Sequence, residues 1–420
     1  MSSDCKSTLS RRSFMRTLGA ASVAATSLSA FAAAQQPAGR RGGGMGNNDD
    51  MGERMVRPAD AVIISSNENP LGPAKAALEA IAATSALGGR YHHETSGETV
   101  KVFSDSFGLK AGYVRLFPGS GTPLDYAFYS NVGPDKPVVV AGPSYLQGAN
   151  AGKKMGAQVF TVPLKADGSH DVKGMLAATP NAGAYYIVNP NNPTGTMTPK
   201  ADIVWLLENK PAGSVVVVDE AYHHFSNDES SIDLVAADKD IIILRTFSKV
   251  YGMAGLRAGF FIAKPEYQAK LGKMPAGVIA NGSGVVSITT AAAATASLQD
   301  KGLIAARRKI NADIRADTLE WMDKNGYEYM KGSQANFFQA NVKRPGPEFA
   351  KLMQQDHVYI GRTWVEMPNY VRVTVGTPEE MAKFKVSFKK AYETAPAAAH
   401  LDLPFHEAPS EFNRHGELYA

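Results

Sequence analysis

Three clusters in this chain of 420 residues hold side chains that could do chemistry. The first is Arg245-Thr-Phe-Ser-Lys-Val-Tyr-Gly-Met-Ala-Gly-Leu-Arg257, with Lys249 placed after the very apolar run Ile241-Ile-Ile-Leu-Arg245. Desolvation disfavours an ammonium, so a lysine held there would be a nucleophilic amine able to form a Schiff base with an aldehyde cofactor. Arg257, with the hydroxyls of Thr246 and Ser248, could clamp a phosphate beside it. The bland alternative is a solvated surface lysine. The second cluster is Asp219-Glu-Ala-Tyr222, ending the run Val215 to Val218. A carboxylate there is costly unless paired, and a protonated ring nitrogen would pair it, with Tyr222 pointing a hydroxyl at the same ligand. The alternative is an aspartate capping a loop. The third is Phe117-Pro-Gly-Ser-Gly-Thr-Pro123. With Thr122 as N-cap and Pro123 as first helical residue, Ser120, Gly121 and Thr122 would present backbone N–H groups to an anion, a phosphate by preference, or the turn is an ordinary capped helix.

The elements that must position these clusters are legible as short runs: Pro137–Ala141, Ala157–Val162, Ala184–Val188, Ser214–Val218, Ile241–Arg245 and Ala258–Ala263. Alternating with helix-like segments, continuous apolar strands of this kind are buried on both faces, which predicts an α/β fold with a mostly parallel sheet. Ligands of such sheets lie beyond the carboxyl ends of the strands. The turns Asn189–Gly195, Asp219–Tyr222 and Thr246–Lys249 should therefore converge. A helical stretch at 300–325, then β character at Ala335–Ala340 and Tyr370–Val375, predicts a second, smaller α+β unit.

Composition excludes several classes. Of a net charge of +4, Lys6, Arg11, Arg12 and Arg16 against Asp4 put three charges in residues 1–34, leaving no basic signature for nucleic acid. The sole cysteine, Cys5, lies in the same segment, so the body has neither a disulfide nor a Cys nucleophile. The adjacent histidines at 92–93 and 223–224 point in different directions, and no metal site is expected. Trp205, Trp321 and Trp364 are read as core or interface and not as cofactor contacts.

Ser10-Arg-Arg-Ser-Phe-Met-Arg16 and the Ala/Ser/Thr-rich stretch to Ala34 resemble a bacterial twin-arginine signal. With only Leu18, Val23, Leu28 and Phe31 as large hydrophobes, that stretch is too weak for a stable membrane span. Export by the twin-arginine machinery and a periplasmic location are expected. Residues 35–57 read as a flexible linker. The rest divides into an N-terminal arm and part of the small domain at 58–90, a large domain at 91–305, the small domain at 306–395 and a tail at 396–420.

Asn189-Pro-Asn-Asn-Pro-Thr-Gly195, Asp219 with Tyr222, Ser248-Lys249 with Arg257, Arg372 in Tyr370-Val-Arg-Val-Thr-Val-Gly-Thr-Pro378, and Asn67-Glu-Asn-Pro-Leu-Gly-Pro73 together resemble pyridoxal-phosphate (PLP) enzymes of fold type I. More narrowly they are similar to class I/II aminotransferases of the histidinol-phosphate aminotransferase type, with gaps of 27 residues from Asn192 to Asp219, 30 to Lys249 and eight to Arg257. The resemblance covers about residues 60 to 395. It implies that Lys249 holds PLP and shuttles the substrate proton, and that Asp219 keeps the pyridine nitrogen protonated. Asn192 and Tyr222 would hydrogen-bond the cofactor's 3′-oxygen. Ser120, Gly121, Thr122, Thr246, Ser248 and Arg257 would bind its phosphate, and Tyr145 would stack on its ring. Tyr91 would reach the neighbouring subunit's cofactor, implying a homodimer with shared sites. Arg372 would grip the substrate carboxylate and Asn336 would line the substrate pocket. The family commonly has an acidic phosphate turn where this chain has Ser120-Gly121-Thr122, and a Pro-Asp type of turn where it has His92-His93-Glu94.

The function this implies is transfer of an amino group between an amino acid, or amino-alcohol phosphate, and a 2-oxo acid in a ping-pong cycle. The alternatives are a PLP-dependent lyase or decarboxylase on the same fold, and a non-catalytic periplasmic binding protein.

Overall fold

The computed structural model describes residues 57–271 and 286–394. The expected leader and tail, and the expected linker apart from Arg57, lie outside the described residues. Eleven strands are described: β1 (Val62–Ile64), β2 (Val114–Phe117), β3 (Val138–Gly142), β4 (Val159–Pro163), β5 (Ala184–Val188), β6 (Val215–Asp219), β7 (Ile241–Thr246), β8 (Gly259–Ala263), β9 (Phe337–Asn341), β10 (Val358–Ile360) and β11 (Tyr370–Thr374).

Seven of them form one sheet in the order β2-β8-β7-β6-β5-β3-β4. The neighbours from β7 to β4 run parallel, and β8 is antiparallel to both β7 and β2. Every residue of β3, β5, β6, β7 and β8 is buried, as runs of Val and Ile covered on both faces require. Alternate residues divide between two cores. Val216, Val218, Ile241 and Ile243 pack with Ala77, Phe103 and Ala291 on one face, while Val215, Val217, Ile242 and Leu244 pack with Leu124, Phe128 and Ala151 on the other. The expectation of a strand buried on both faces fails at β4, whose residues are half-buried or exposed. It is the last strand of the sheet and has a single neighbour, so part of its surface meets solvent.

A third core gathers Val62, Ile64, Phe338, Phe349, Val371, Phe384 and Phe388. It unites the parallel pair β1–β10, the antiparallel pair β9–β11, and the helices Gly346–Gln354 and Pro378–Glu393. The last helix starts with a full capping box, Thr377 with Glu380. β1 thus brings the segment that follows it, Ser65 to Leu71, to the boundary between the small core and the carboxyl ends of β5, β6 and β7.

Candidate active site

Three adjacent parallel strands end side by side, and their turns do converge. The Asn189 N–H donates to the Asp219 carbonyl at 2.9 Å, and the Glu220 N–H to the Leu244 carbonyl at 3.0 Å. The ladder Val188↔Asp219↔Leu244 sets this alignment.

Asp219, 4% exposed, accepts hydrogen bonds from the Tyr186 hydroxyl at 3.0 Å and the Ala221 N–H at 3.1 Å. Burial pushes its carboxyl up to about 6, against the opposing pull of these donors and of Lys249. Neither donor is cationic, so the carboxylate lacks the partner that would offset its desolvation. Nothing in the composition of its segment singles out Tyr186, although the pleat contains the signal. It pairs with Val217, two residues before Asp219 and therefore on the same face, from which its ring reaches diagonally to the carboxylate.

Lys249 is half-buried, with its ammonium 5.3 Å from the Tyr222 ring centroid and 3.2 Å from the Ser66 carbonyl, to which it donates. Tyr222 is buried, edge-on to Phe337, and its oxygen accepts from Asn67 Nδ2 at 3.1 Å. The backbone at Ser66 therefore lies directly against the Lys249 amine. Asn336 ties this segment down, donating to the Asn67 and Glu68 carbonyls at 3.1 Å each, while its own buried Oδ1 has no partner among the described residues.

The turn expected to receive an anion forms with one correction. Ser120, not Thr122, is the N-cap, the helix runs Gly121–Tyr129, and Pro123 stands inside its first turn. Starting two residues earlier puts the N–H groups of Gly121 and Thr122 within the free first turn. Gly119, at φ +82, precedes it, and an added Cβ there would lie 2.2 Å from Arg257 Nη2. The absent side chain is thus the space the guanidinium occupies. Arg257 donates from Nη1 to Ser248 Oγ at 3.3 Å, and Thr246 Oγ1 donates to Ser248 Oγ at 2.9 Å. Backbone N–H groups, two hydroxyls and a guanidinium make a donor set suited to a phosphate. Tyr145 joins through Gln147, which accepts from its hydroxyl at 3.1 Å and donates to the Gly121 carbonyl at 2.8 Å.

On the small-core side, Arg372 donates to Asn192 Oδ1 and to the Ser65 carbonyl, each at 2.7 Å, and its buried Nε has no partner among the described residues. Burial lowers the guanidinium to about 10. Two neighbours carried no signal in the sequence. Trp364, expected only in a core or interface, is buried and donates to the Ser144 carbonyl, yet its ring also faces Arg372 at 5.4 Å and Arg362 at 4.9 Å. Arg362 thereby places a second cation beside Arg372.

Behind the site, Glu220 and Arg245 form a buried ion pair at 2.7 Å, completed by Ser230. Arg245 Nη1 donates to His224 Nε2 at 2.8 Å, so that lone pair is spent within the network. Among the described residues no group of three or more His, Cys, Asp or Glu could hold a metal, and no helix is long and apolar enough to cross a membrane. Of the predicted site residues, Tyr91 alone is not brought in. It is 84% exposed and stacks on His93 at 5.7 Å.

The donor set therefore fits a phosphorylated aromatic cofactor with a basic ring nitrogen: a cradle of donors for a phosphate, a buried carboxylate lacking a cationic hydrogen-bond donor, and the amine of Lys249, which acts on that carboxylate electrostatically. The family model for aminotransferase class I and II matches residues 59–386. A histidinol-phosphate aminotransferase 1 from Cupriavidus pinatubonensis is 34% identical over 341 residues, 79% of this chain and 89% of that protein. A histidinol-phosphate aminotransferase from Symbiobacterium thermophilum is 34% identical over 344 residues, 81% of this chain and 92% of that protein. The crystal structure of the Sinorhizobium meliloti histidinol-phosphate aminotransferase in complex with pyridoxal-5′-phosphate shares the fold at a TM-score of 0.72 and 24% identity, over 79% of this chain and 90% of that one.

Proposed function

Since the chain belongs to the aminotransferase class I and II family, we propose that Lys249, Asp219 and Tyr222 are its catalytic residues and that the surrounding donors hold its cofactor. The protein is a PLP-dependent aminotransferase of fold type I, moving an amino group between an amino compound and a 2-oxo acid. The observation that carries the assignment of residues is the buried carboxylate of Asp219 at the same strand ends as the amine of Lys249, which lies over the Tyr222 ring.

When bound, PLP supplies an electron sink for the carbanion left by loss of the substrate's α-proton. Asp219 accepts the hydrogen bond of the protonated ring nitrogen and keeps that proton in place. Lys249 would hold the cofactor's aldehyde carbon and, as a free amine, would carry the proton taken from the substrate α-carbon. Asn192 has its Oδ1 committed to Arg372, which leaves its Nδ2, with the Tyr222 hydroxyl, to donate to the cofactor's 3′-oxygen. Ser120, Gly121, Thr122, Thr246, Ser248 and Arg257 hold the phosphate, and Tyr145 covers the ring. Arg372 grips the anionic group of the substrate, and Asn336 fixes the 67–68 backbone that roofs the pocket.

The paired cations Arg372 and Arg362 support a donor with an anionic head. This is the α-carboxylate of an amino acid or the phosphate of an amino-alcohol phosphate, the latter in keeping with relatives named histidinol-phosphate aminotransferases. The exposure of Tyr91 supports its service in the site of a second copy, hence a homodimer. The leader supports export by the twin-arginine machinery to the periplasm, a route that accepts folded proteins already loaded with cofactor.

The deciding experiment records visible absorption of the purified protein before and after a mixture of amino compounds, with mass spectrometry of products. Bleaching of the cofactor band with appearance of an oxo product is expected. A persistent band with release of carbon dioxide would instead make the protein a lyase.

The phosphate cradle gives a separate test. Gly119→Ala drives a methyl group into the Arg257 guanidinium at a left-handed backbone position. Affinity of the apoprotein for PLP, followed by absorbance titration, should fall at least about tenfold, the worth of one charged hydrogen bond. Unchanged affinity would remove Arg257 from the cradle.

A further inference from the structure

Asn67 belongs to the segment that lies against Lys249, is 1% exposed and holds a left-handed backbone at φ +54. Its contacts fix the orientation of its amide. Its N–H donates to Thr374 Oγ1 at 2.9 Å, and Thr374 Oγ1 donates back to Asn67 Oδ1 at 3.1 Å. Reversing the amide would leave the buried Thr374 hydroxyl without an acceptor, so Oδ1 faces Thr374 and Nδ2 faces Tyr222. Asn67 Nδ2 is then the donor to the Tyr222 oxygen, 3.1 Å away. The phenol's own proton meets no acceptor among the described residues.

Resting on the roles proposed above for Lys249 and Tyr222, we propose that Asn67 is a positioning residue. By occupying the lone pair of Tyr222 it leaves the phenolic O–H to point at the 3′-oxygen of the cofactor, and through Thr374 it ties that direction to the strand carrying Arg372. A hydroxyl that could rotate toward another acceptor would serve the 3′-oxygen only part of the time. The fixed one stabilises that oxygen in its deprotonated form throughout. The groups that face Tyr222 are Lys249 over its ring, Asp219 at the head of its turn, Tyr145 and Arg372. The one neutral donor among them, the Tyr145 hydroxyl, is committed to Gln147 Oε1 at 3.1 Å, so none replaces the Asn67 amide.

The test is a pH titration of the visible absorption of the holoenzyme. Asn67→Gly keeps the left-handed backbone at no steric cost and removes the amide. The visible transition should move up by about half to one pH unit, the scale of one net hydrogen bond. Asn67→Asp offers a carboxylate that captures the Tyr222 proton and should move it further in the same direction. In a Tyr222→Phe background, Asn67→Gly should produce no additional shift. Variants that titrate like the wild type, or an Asn67→Gly shift of equal size with and without the Tyr222 hydroxyl, would overturn the inference. A wild-type protein with no visible cofactor band would instead overturn the reading beneath it, so the two failures are told apart.

Discussion

Replacing Lys249 with alanine should lower turnover at least about ten-thousandfold, the upper end of what a positioned proton carrier contributes. The structure offers no substitute. Its ammonium lies 5.3 Å from the Tyr222 ring centroid and donates to the Ser66 carbonyl. The other cations nearby are guanidiniums, Arg257 against Gly119 and Arg372 on Asn192 and Ser65, and a guanidinium does not give up its proton at neutral pH. The cradle for the phosphate is left whole by the substitution, so Lys249→Ala should still take up PLP, reversibly and with an altered spectrum. Single-turnover mixing of the loaded variant with the donor identified for the wild type separates these effects. Appearance of oxo product at a wild-type rate would end the assignment of Lys249 as the proton carrier.

Asp219→Asn should cost about a hundred- to a thousandfold in turnover, the scale of removing one preorganised electrostatic partner. PLP affinity should drop by about ten- to a hundredfold with loss of a charge-assisted hydrogen bond. The same carboxylate carries a pH signature in the apoprotein. Burial raises it from its ordinary value of 3.8 to about 6. Between those values the folded chain holds a proton that the unfolded chain has released, so stability falls as pH rises through the window, and the full cost of about 3 kcal/mol is present above it. On the role proposed for Asp219, bound cofactor with a protonated ring nitrogen would supply the missing cation and remove that cost. Thermal unfolding of the apoprotein from pH 4 to 7 should show a decline that is smaller in Asp219→Asn and in the loaded wild type. Parallel curves for all three would mean that Asp219 meets no cation in the site.

The sheet was legible because its strands carry β-branched and aromatic runs, and β3, β5, β6, β7 and β8 are buried throughout as such runs predict, whereas the same kind of run in β4 lies at the sheet edge. β1 and β10 were not, since three residues each are too few to show a period and are held by pairing with one another across 296 positions of the chain. The site residues at strand ends stood out by polarity against apolar runs: Asp219 after Val215–Val218, Lys249 after Ile241–Arg245. What stayed hidden are partners set by tertiary placement. Asn67 lies within a segment that stands out only by its resemblance, and its bond to Tyr222 spans 155 residues. Arg362 and Trp364 meet Arg372 only because a turn folds them beside β11. The N-cap was misplaced by two residues because Thr-Pro is a strong local start signal, whereas here the chain entering from β2 already turns helical at Gly121.

The antiparallel strand β8 has a consequence for how the sheet is held closed. Gly119 follows β2 and Arg257 precedes β8, so the two sides of the phosphate cradle meet only because those strands pair. In the chain the other five strands of the sheet lie between them. Pairing β2 with β8 closes the longest loop of any strand pair in this sheet, and the entropy of that closure is carried by the contacts along the seam. The cradle therefore sits on the longest-range seam of the sheet. A cofactor whose phosphate touches both edges of that seam acts as its staple, raising the free energy needed to open β2 from β8 by mass action.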